Sequence, residues 1–250
     1  MLVDVHAHLD LVKDIGSTVN ICKEKNFDSI ITNGTNLEDN KKVLELSFKY
    51  DIIKPALGLY PLDLEKLNQK QIDDFFIFLE SKIKNIFAIG EVGLDFSKEN
   101  FNKEKQIKYF KKFLSLSEKY NKPLIIHSRK AEEQIVDIIT SSSNKKIIMH
   151  CFCGNFKLIK KLIEHGVYFS IPCTILKSKH FQKLVEVLPF ENILTESDSP
   201  FLSSNKLLEN KPYFIVDTIK KISEIKKINK TNLENKIFTN YKKIFLHGKV

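Results

Sequence analysis

Eight short apolar, β-branched runs recur along the 250-residue chain, each followed by a longer stretch with helical spacing. They are "LVDVHAH" at 2–8, "SIIT" at 29–32, "IIKPALG" at 52–58, "IFAIGEVG" at 86–93, "PLIIHS" at 123–128, "KIIMH" at 146–150, "VYFSI" at 167–171 and "ENILTESD" at 191–198. Strands that alternate with helical crossovers pair in parallel, and eight such units are the number that closes a sheet on itself. The spacing predicts helices over 103–120, with Ile107, Phe110, Leu114 and Ser117 on one face, and over 212–227, with Ile215, Thr218, Ile219 and Ile222 on another. A last segment opens with "TNLE", a capping box at Thr231 and Glu234, and continues through Leu233, Ile237 and Tyr241 as an extra helix. The expected fold is an α/β (β/α)8 TIM barrel with an added C-terminal helix, one domain over 1–250. An open doubly wound sheet is disfavoured because no glycine-rich loop follows the first run.

On that frame the polar residues collect at one end. His6 and His8 end the first run, Glu91 the fourth, His127 the fifth, His150 the sixth, and Glu196 and Asp198 the eighth. The C-terminal ends of barrel strands surround the active site, so residues far apart in sequence converge there. On a strand, side chains alternate between faces, which turns Asp4, His6 and His8 the same way. Four histidines with these carboxylates at one rim predict a metal site.

The composition narrows the class. Hydrophobic residues make up 42 %, and glycine and proline are few, which excludes a disordered chain. No basic segment precedes Asp4 and no apolar run approaches the ~18 residues of a membrane span, so a cytoplasmic protein without a membrane partner is expected. Four scattered cysteines are too few for a disulfide framework. Cys151 and Cys153 flank His150 but face away from it on a strand, and are expected to pack. The net charge of +9 suits a polyanionic partner, although many lysines lie in helix-spaced runs and face solvent. The 40 basic residues include one arginine, Arg129, and a lone guanidinium suggests a place that needs a planar bidentate donor. His165, His180 and His247 lie outside any strand end and receive no role.

The strings "VDVHAHLD", "GEVGLD", "PLIIHSRKA", "HCFCGN" and "ESDSPFL", in order over residues 3–202, resemble the motifs of the TatD family of metal-dependent deoxyribonucleases. The resemblance implies an amidohydrolase-like barrel with a two-metal phosphodiesterase site whose ligands are His6, His8, Glu91, His127, His150 and Asp198. It implies DNA as substrate, cut exonucleolytically, with RNA or a small molecule as the other candidates. Three departures stand out: Tyr60 in "GLYP" where the family has histidine, Asn210, Lys211 and Pro212 in "SSNKLLENKP" where it has an arginine-rich segment and "NEP", and Cys153 where serine is common.

Mixed imidazole and carboxylate donors favour zinc or manganese over magnesium. His6, His8 and Asp198 are expected to hold one ion and His127 and His150 the other, with Glu91 between them. Asp198 and Glu91 are the catalytic candidates, Asp198 as the group that orients and deprotonates the attacking water. Glu196 and Asp4 are expected to hold ligands from behind, Arg129 to clamp a phosphate, and Tyr60 to stack on a base or bind a phosphate. The competing reading is an amidohydrolase-type enzyme that cleaves a C–N or ester bond of a small metabolite or acylated nucleotide with the same activated water.

Overall fold

The computed structural model describes residues 1–204 and 209–246. Its strands are β1 (Leu2–Ala7), β2 (Phe27–Asn33), β3 (Ile53–Leu57), β4 (Ala88–Asp95), β5 (Leu124–Arg129), β6 (Ile147–His150), β7 (Tyr168–Ile171) and β8 (Ile193–Thr195). Each pairs in parallel with its sequence neighbours, in the order β1 to β8. The seam between β8 and β1 is drawn together by Thr195 Oγ1 donating to the Val3 carbonyl at 2.8 Å, Asp198 N to the His6 carbonyl at 2.9 Å, and His8 N to the Ser199 carbonyl at 2.7 Å. The result is the TIM barrel that the alternating runs predict.

The helices are α1 (Ile15–Glu24), α2 (Leu37–Lys49), α3 (Pro61–Lys66), α4 (Gln69–Lys82), α5 (Lys103–Tyr120), α6 (Glu132–Thr140), α7 (Phe156–His165), α8 (Lys179–Val187), α9 (Ile215–Lys226) and α10 (Lys230–Tyr241). They cover the outside, so strand residues such as Ile30, Ile31, Ile125, Ile126, Ile148 and Met149 are wholly buried. The Ile215, Thr218, Ile219 and Ile222 face of α9 is buried as its spacing predicts, while on α5 Ile107 is only half-buried. The extra helix α10 starts two residues earlier than a cap at Thr231 would place it. Asn229, not Thr231, caps it by accepting from Thr231 N, and Glu234 instead pairs with Lys230 at 3.7 Å. An Asx cap competes well with a threonine two residues later. Tyr241 Oη then donates to Ser29 Oγ at 2.8 Å and Asn240 Nδ2 to the Ile193 carbonyl at 2.9 Å, which fixes α10 near the starts of β2 and β8.

Three strands end differently from the sequence pattern, and all three differences matter for the site. β8 stops at Thr195 and β1 at Ala7, so His8, Glu196 and Asp198 lie just beyond the strands, and Asp198 adopts a left-handed φ of +57°. β4 runs two residues further than "IFAIGEVG", to Asp95, because Gly93, Leu94 and Asp95 pair with His127, Ser128 and Arg129. The approach of these strands depends on Gly93, whose φ is +151° and on which a Cβ would sit 2.0 Å from the His127 carbonyl oxygen. Among the described residues no helix is long and apolar enough to cross a membrane.

Candidate metal centre

β1, β4, β5 and β6 and the loop after β8 bring six side chains to one end of the barrel. His6 and His8 approach each other at 3.2 Å between Nε2 atoms. Asp198 Oδ1 lies 3.3 Å from His6 Nε2 and 3.4 Å from His8 Nε2. Glu91 spans the group: its Oε2 is 3.6 Å and 3.4 Å from the same two nitrogens, and its Oε1 is 2.9 Å from His127 Nδ1 and 4.0 Å from His150 Nε2. Two compact sets result, His6–His8–Asp198 and Glu91–His127–His150, and the set His6–His150–Glu196 overlaps them. All but His127 are buried, and His127 nearly so.

Hydrogen bonds behind the cluster decide which nitrogen faces it. His8 Nδ1 donates to the Asn33 carbonyl at 2.9 Å, and His150 Nδ1 donates to Glu196 Oε2 at 2.9 Å. In the neutral rings this leaves the Nε2 lone pairs of His8 and His150 turned toward carboxylate oxygens, an arrangement that needs a cation between them. That convergence of lone pairs and carboxylates, with no neutral donor to separate them, is what fits the residues to a divalent metal.

Without an ion, protons fill the role. Burial pulls His8 down, but hydrogen bonds to Asp198 and Glu91 outweigh it and hold its pKa well above the ordinary value. Burial likewise opposes protonation of His127, yet Asp95 and Glu91 push it up from 6.5 to about 9. Glu91 and Asp198 are held well below the carboxylate range: burial works against them, and the hydrogen bonds from histidines prevail. His6 and His150 are lowered, chiefly by burial. Glu196 is raised, again by burial first.

The sign of the resulting pH dependence follows. His127 stabilises the ion-free fold fully below 6.5 and loses that contribution as pH rises through about 9, whereas ion binding requires the unprotonated ring. Divalent-ion affinity is therefore expected to rise across this window by about tenfold per pH unit for each proton displaced. Titration calorimetry in buffers of different ionisation enthalpy reads the proton release, and a pH-independent affinity would contradict it.

The other expected residues divide. Glu196, fully buried, holds His150 from behind and accepts from Ser170 Oγ at 2.5 Å. Asp4 does not touch the His6 ring. It accepts from His6 N at 3.2 Å, Ser197 N at 3.0 Å and Ser197 Oγ at 2.6 Å, and so ties β1 to the loop that carries Asp198. A strand residue two positions away faces the same way but lies deeper, and the seam reaches it first. Burial raises Asp4 to about 8. Arg129, at the end of β5, is exposed and carries no ion pair or side-chain hydrogen bond among the described residues. Tyr60 is half-buried and donates its hydroxyl to Asp95 Oδ2 at 2.6 Å, with its ring edge-on to His127.

Asp95 is the residue that the sequence pattern missed. Fully buried, its Oδ2 lies 3.2 Å from His127 Nε2, while Gln106 holds its backbone from α5. The signal was present: Asp95 stands four residues after Glu91, on the same face of a strand, within "GEVGLD". Asn210, wholly buried, donates to the Ser197 and Phe201 carbonyls, and Lys211 pairs with Glu209 at 2.7 Å. Asn210, which keeps the first residue of the family's "NEP", therefore holds the Asp198 loop, while the departure at Lys211 pairs with Glu209. Residues 205–208 of the same segment, and His247, lie outside the described residues. All four cysteines are unpaired. Cys151 packs against the core, but Cys153 is exposed rather than packed, because the chain has left the strand after His150.

A family model described as TatD related DNase matches residues 3–246. The chain belongs to the TatD family. It is 34 % identical over 246 residues, 97 % of its length and 96 % of the relative's, to an uncharacterized metal-dependent hydrolase of Methanocaldococcus jannaschii. It is 30 % identical over 242 residues to human deoxyribonuclease TATDN3, covering 91 % of this chain and 88 % of that one. In fold it is similar to a TatD homologue of Escherichia coli, with a TM-score of 0.86, 22 % identity and 98 % of both chains covered. A TatD-family hydrolase of Entamoeba histolytica is similar at a TM-score of 0.88 and 22 % identity, covering 98 % of this chain and 97 % of that one. As a metal-dependent hydrolase of the TatD family, the chain carries a buried histidine–carboxylate cluster compatible with metal binding.

Proposed function

We propose that this chain is a divalent-metal-dependent deoxyribonuclease that hydrolyses phosphodiester bonds, removing nucleotides from a DNA end. The observation that carries the reading is Glu91, whose two oxygens face two separate sets of imidazoles. His6, His8 and Asp198 would hold one ion and His127 and His150 the other, with Glu91 placed to serve both. Ions held there, zinc or manganese in preference to magnesium, supply a more acidic water and positive charge against the phosphoryl oxygens.

The chain's own residues do the rest. Asp198 orients the attacking water and its carboxylate takes the proton. Glu196 keeps the His150 ring in one tautomer, the Asn33 carbonyl does the same for His8, and Asp95 with Tyr60 braces His127. Exposed and unpaired beyond His127, Arg129 offers its planar fork to a phosphate.

Elemental analysis of loaded protein, paired with cleavage of an end-labelled oligonucleotide, tests the reading. About two divalent ions per chain are expected, since six ligands exceed what one tetrahedral ion takes, together with chelator-sensitive release of mononucleotides. No bound ion after loading would overturn the metal centre. Turnover of an amide and ester panel in place of the oligonucleotide would replace the nuclease reading with the amidohydrolase one.

A further inference from the structure

Among the exposed large apolar side chains of the described residues, Phe201 is the one in ring contact with the metal-ligand cluster. It is 51 % exposed, and its ring stands edge-on to His8 at 5.7 Å between centroids. An aromatic ring left in water at the mouth of a polar site offers its face to an occupant. Its backbone is held on both sides: Phe201 N donates to the Asp198 carbonyl at 2.7 Å, and its own carbonyl accepts from the buried Asn210 at 2.7 Å. The ring is thereby anchored to the loop that carries Asp198.

The surroundings of the mouth are two-sided. The segments that follow β8, β1 and β2, three adjoining strands, carry Phe201, Leu11 and, at the start of α2, Leu37, and the leucines are 44 % and 42 % exposed. In an eight-strand barrel β5 lies across from β1, and there the rim carries Arg129 and Lys130, both exposed. A nucleotide has the same polarity, an apolar face at one end and an anion at the other. Tyr60 is less free to stack than Phe201, because its hydroxyl donates to Asp95 and its ring stands edge-on to His127.

We infer that Phe201 is the platform on which a nucleobase of the substrate stacks, beside the scissile phosphate, while Arg129 and Lys130 meet the strand on the opposite rim. This rests on the phosphodiesterase reading of the site and adds a residue that chooses nucleotides over other phosphodiesters. Base–aromatic stacking accepts any base, so the platform confers affinity without sequence preference.

Binding tests it independently of turnover. Metal-loaded full-length protein is titrated with a fluorescein-labelled phosphorothioate thymidylate tetramer, and with the same strand carrying a tetrahydrofuran abasic unit at each position in turn. The wild-type chain is expected to bind the complete strand about ten- to hundredfold more tightly than the strand lacking the stacked base. Phe201→Ala should erase that difference, and Phe201→Tyr should restore most of it. Wild-type indifference to every abasic position, or equal weakening of both strands by Phe201→Ala, overturns the platform. Discrimination that survives while ordinary phosphodiester strands remain uncut supports the platform and removes the nuclease reading instead.

Discussion

Glu91→Gln is expected to lower turnover by on the order of 10³-fold or more and to leave the chain short of at least one ion, with little change in fold. The carboxylate turns one oxygen to each histidine set, at 3.4 Å from His8 and 2.9 Å from His127. An amide keeps the shape, but it offers one oxygen where two are needed and turns an N–H₂ toward one set. A cation site that loses its shared anion gives up several kcal/mol of electrostatic stabilisation, and each ~1.4 kcal/mol is a factor of ten in rate. Ion content by elemental analysis and initial rates on a labelled oligonucleotide provide the check. A glutamine variant with both ions and a rate within tenfold of the parent would remove Glu91 from the centre of the mechanism.

Asp198→Asn separates catalysis from ion binding. Asp198 sits at the edge of its set with its oxygen 3.3 Å from His6, and an amide oxygen can keep that approach while accepting no proton. Loss of a general base costs ~10²- to 10⁴-fold, so kcat is expected to fall by that amount with ion content largely preserved. Glu196→Gln should cost only ~10- to 100-fold, because Glu196 touches His150 rather than the substrate. If the Glu196 variant proves the more damaged with both ions retained, the proton acceptor is Glu196.

Much of this site was legible in the sequence because barrel geometry converts strand order into spatial order. Once eight runs are recognised, His6, Glu91, His127 and His150 must share a rim, and they do. Periodicity could not say where a strand stops. β8 ends at Thr195, so Glu196 and Asp198 owe their positions to a loop fixed by Asp4, Ser197 and Asn210, contacts made across the seam that no local pattern encodes. β4 continues past its β-branched core through Gly93 to Asp95, and Asp95 was lost for that reason. Tyr60 shows the opposite failure: its place at the rim was readable, but its commitment to Asp95 depended on a partner 35 residues away.

The two ligand sets also differ in when they can exist. Glu91, His127 and His150 sit on three consecutive strands, so this half is complete as soon as the middle of the chain has folded. His6, His8 and Asp198 lie on or just beyond the first and last strands of the sheet and meet only when the last strand docks on the first, which closes a loop of nearly the whole sheet. In a chain emerging from synthesis, every residue of the first half is present before Asp198 is made. The His6–His8–Asp198 half can form only once the barrel has closed, so hydrolysis that used both halves would be silent in a chain whose last strand had not docked.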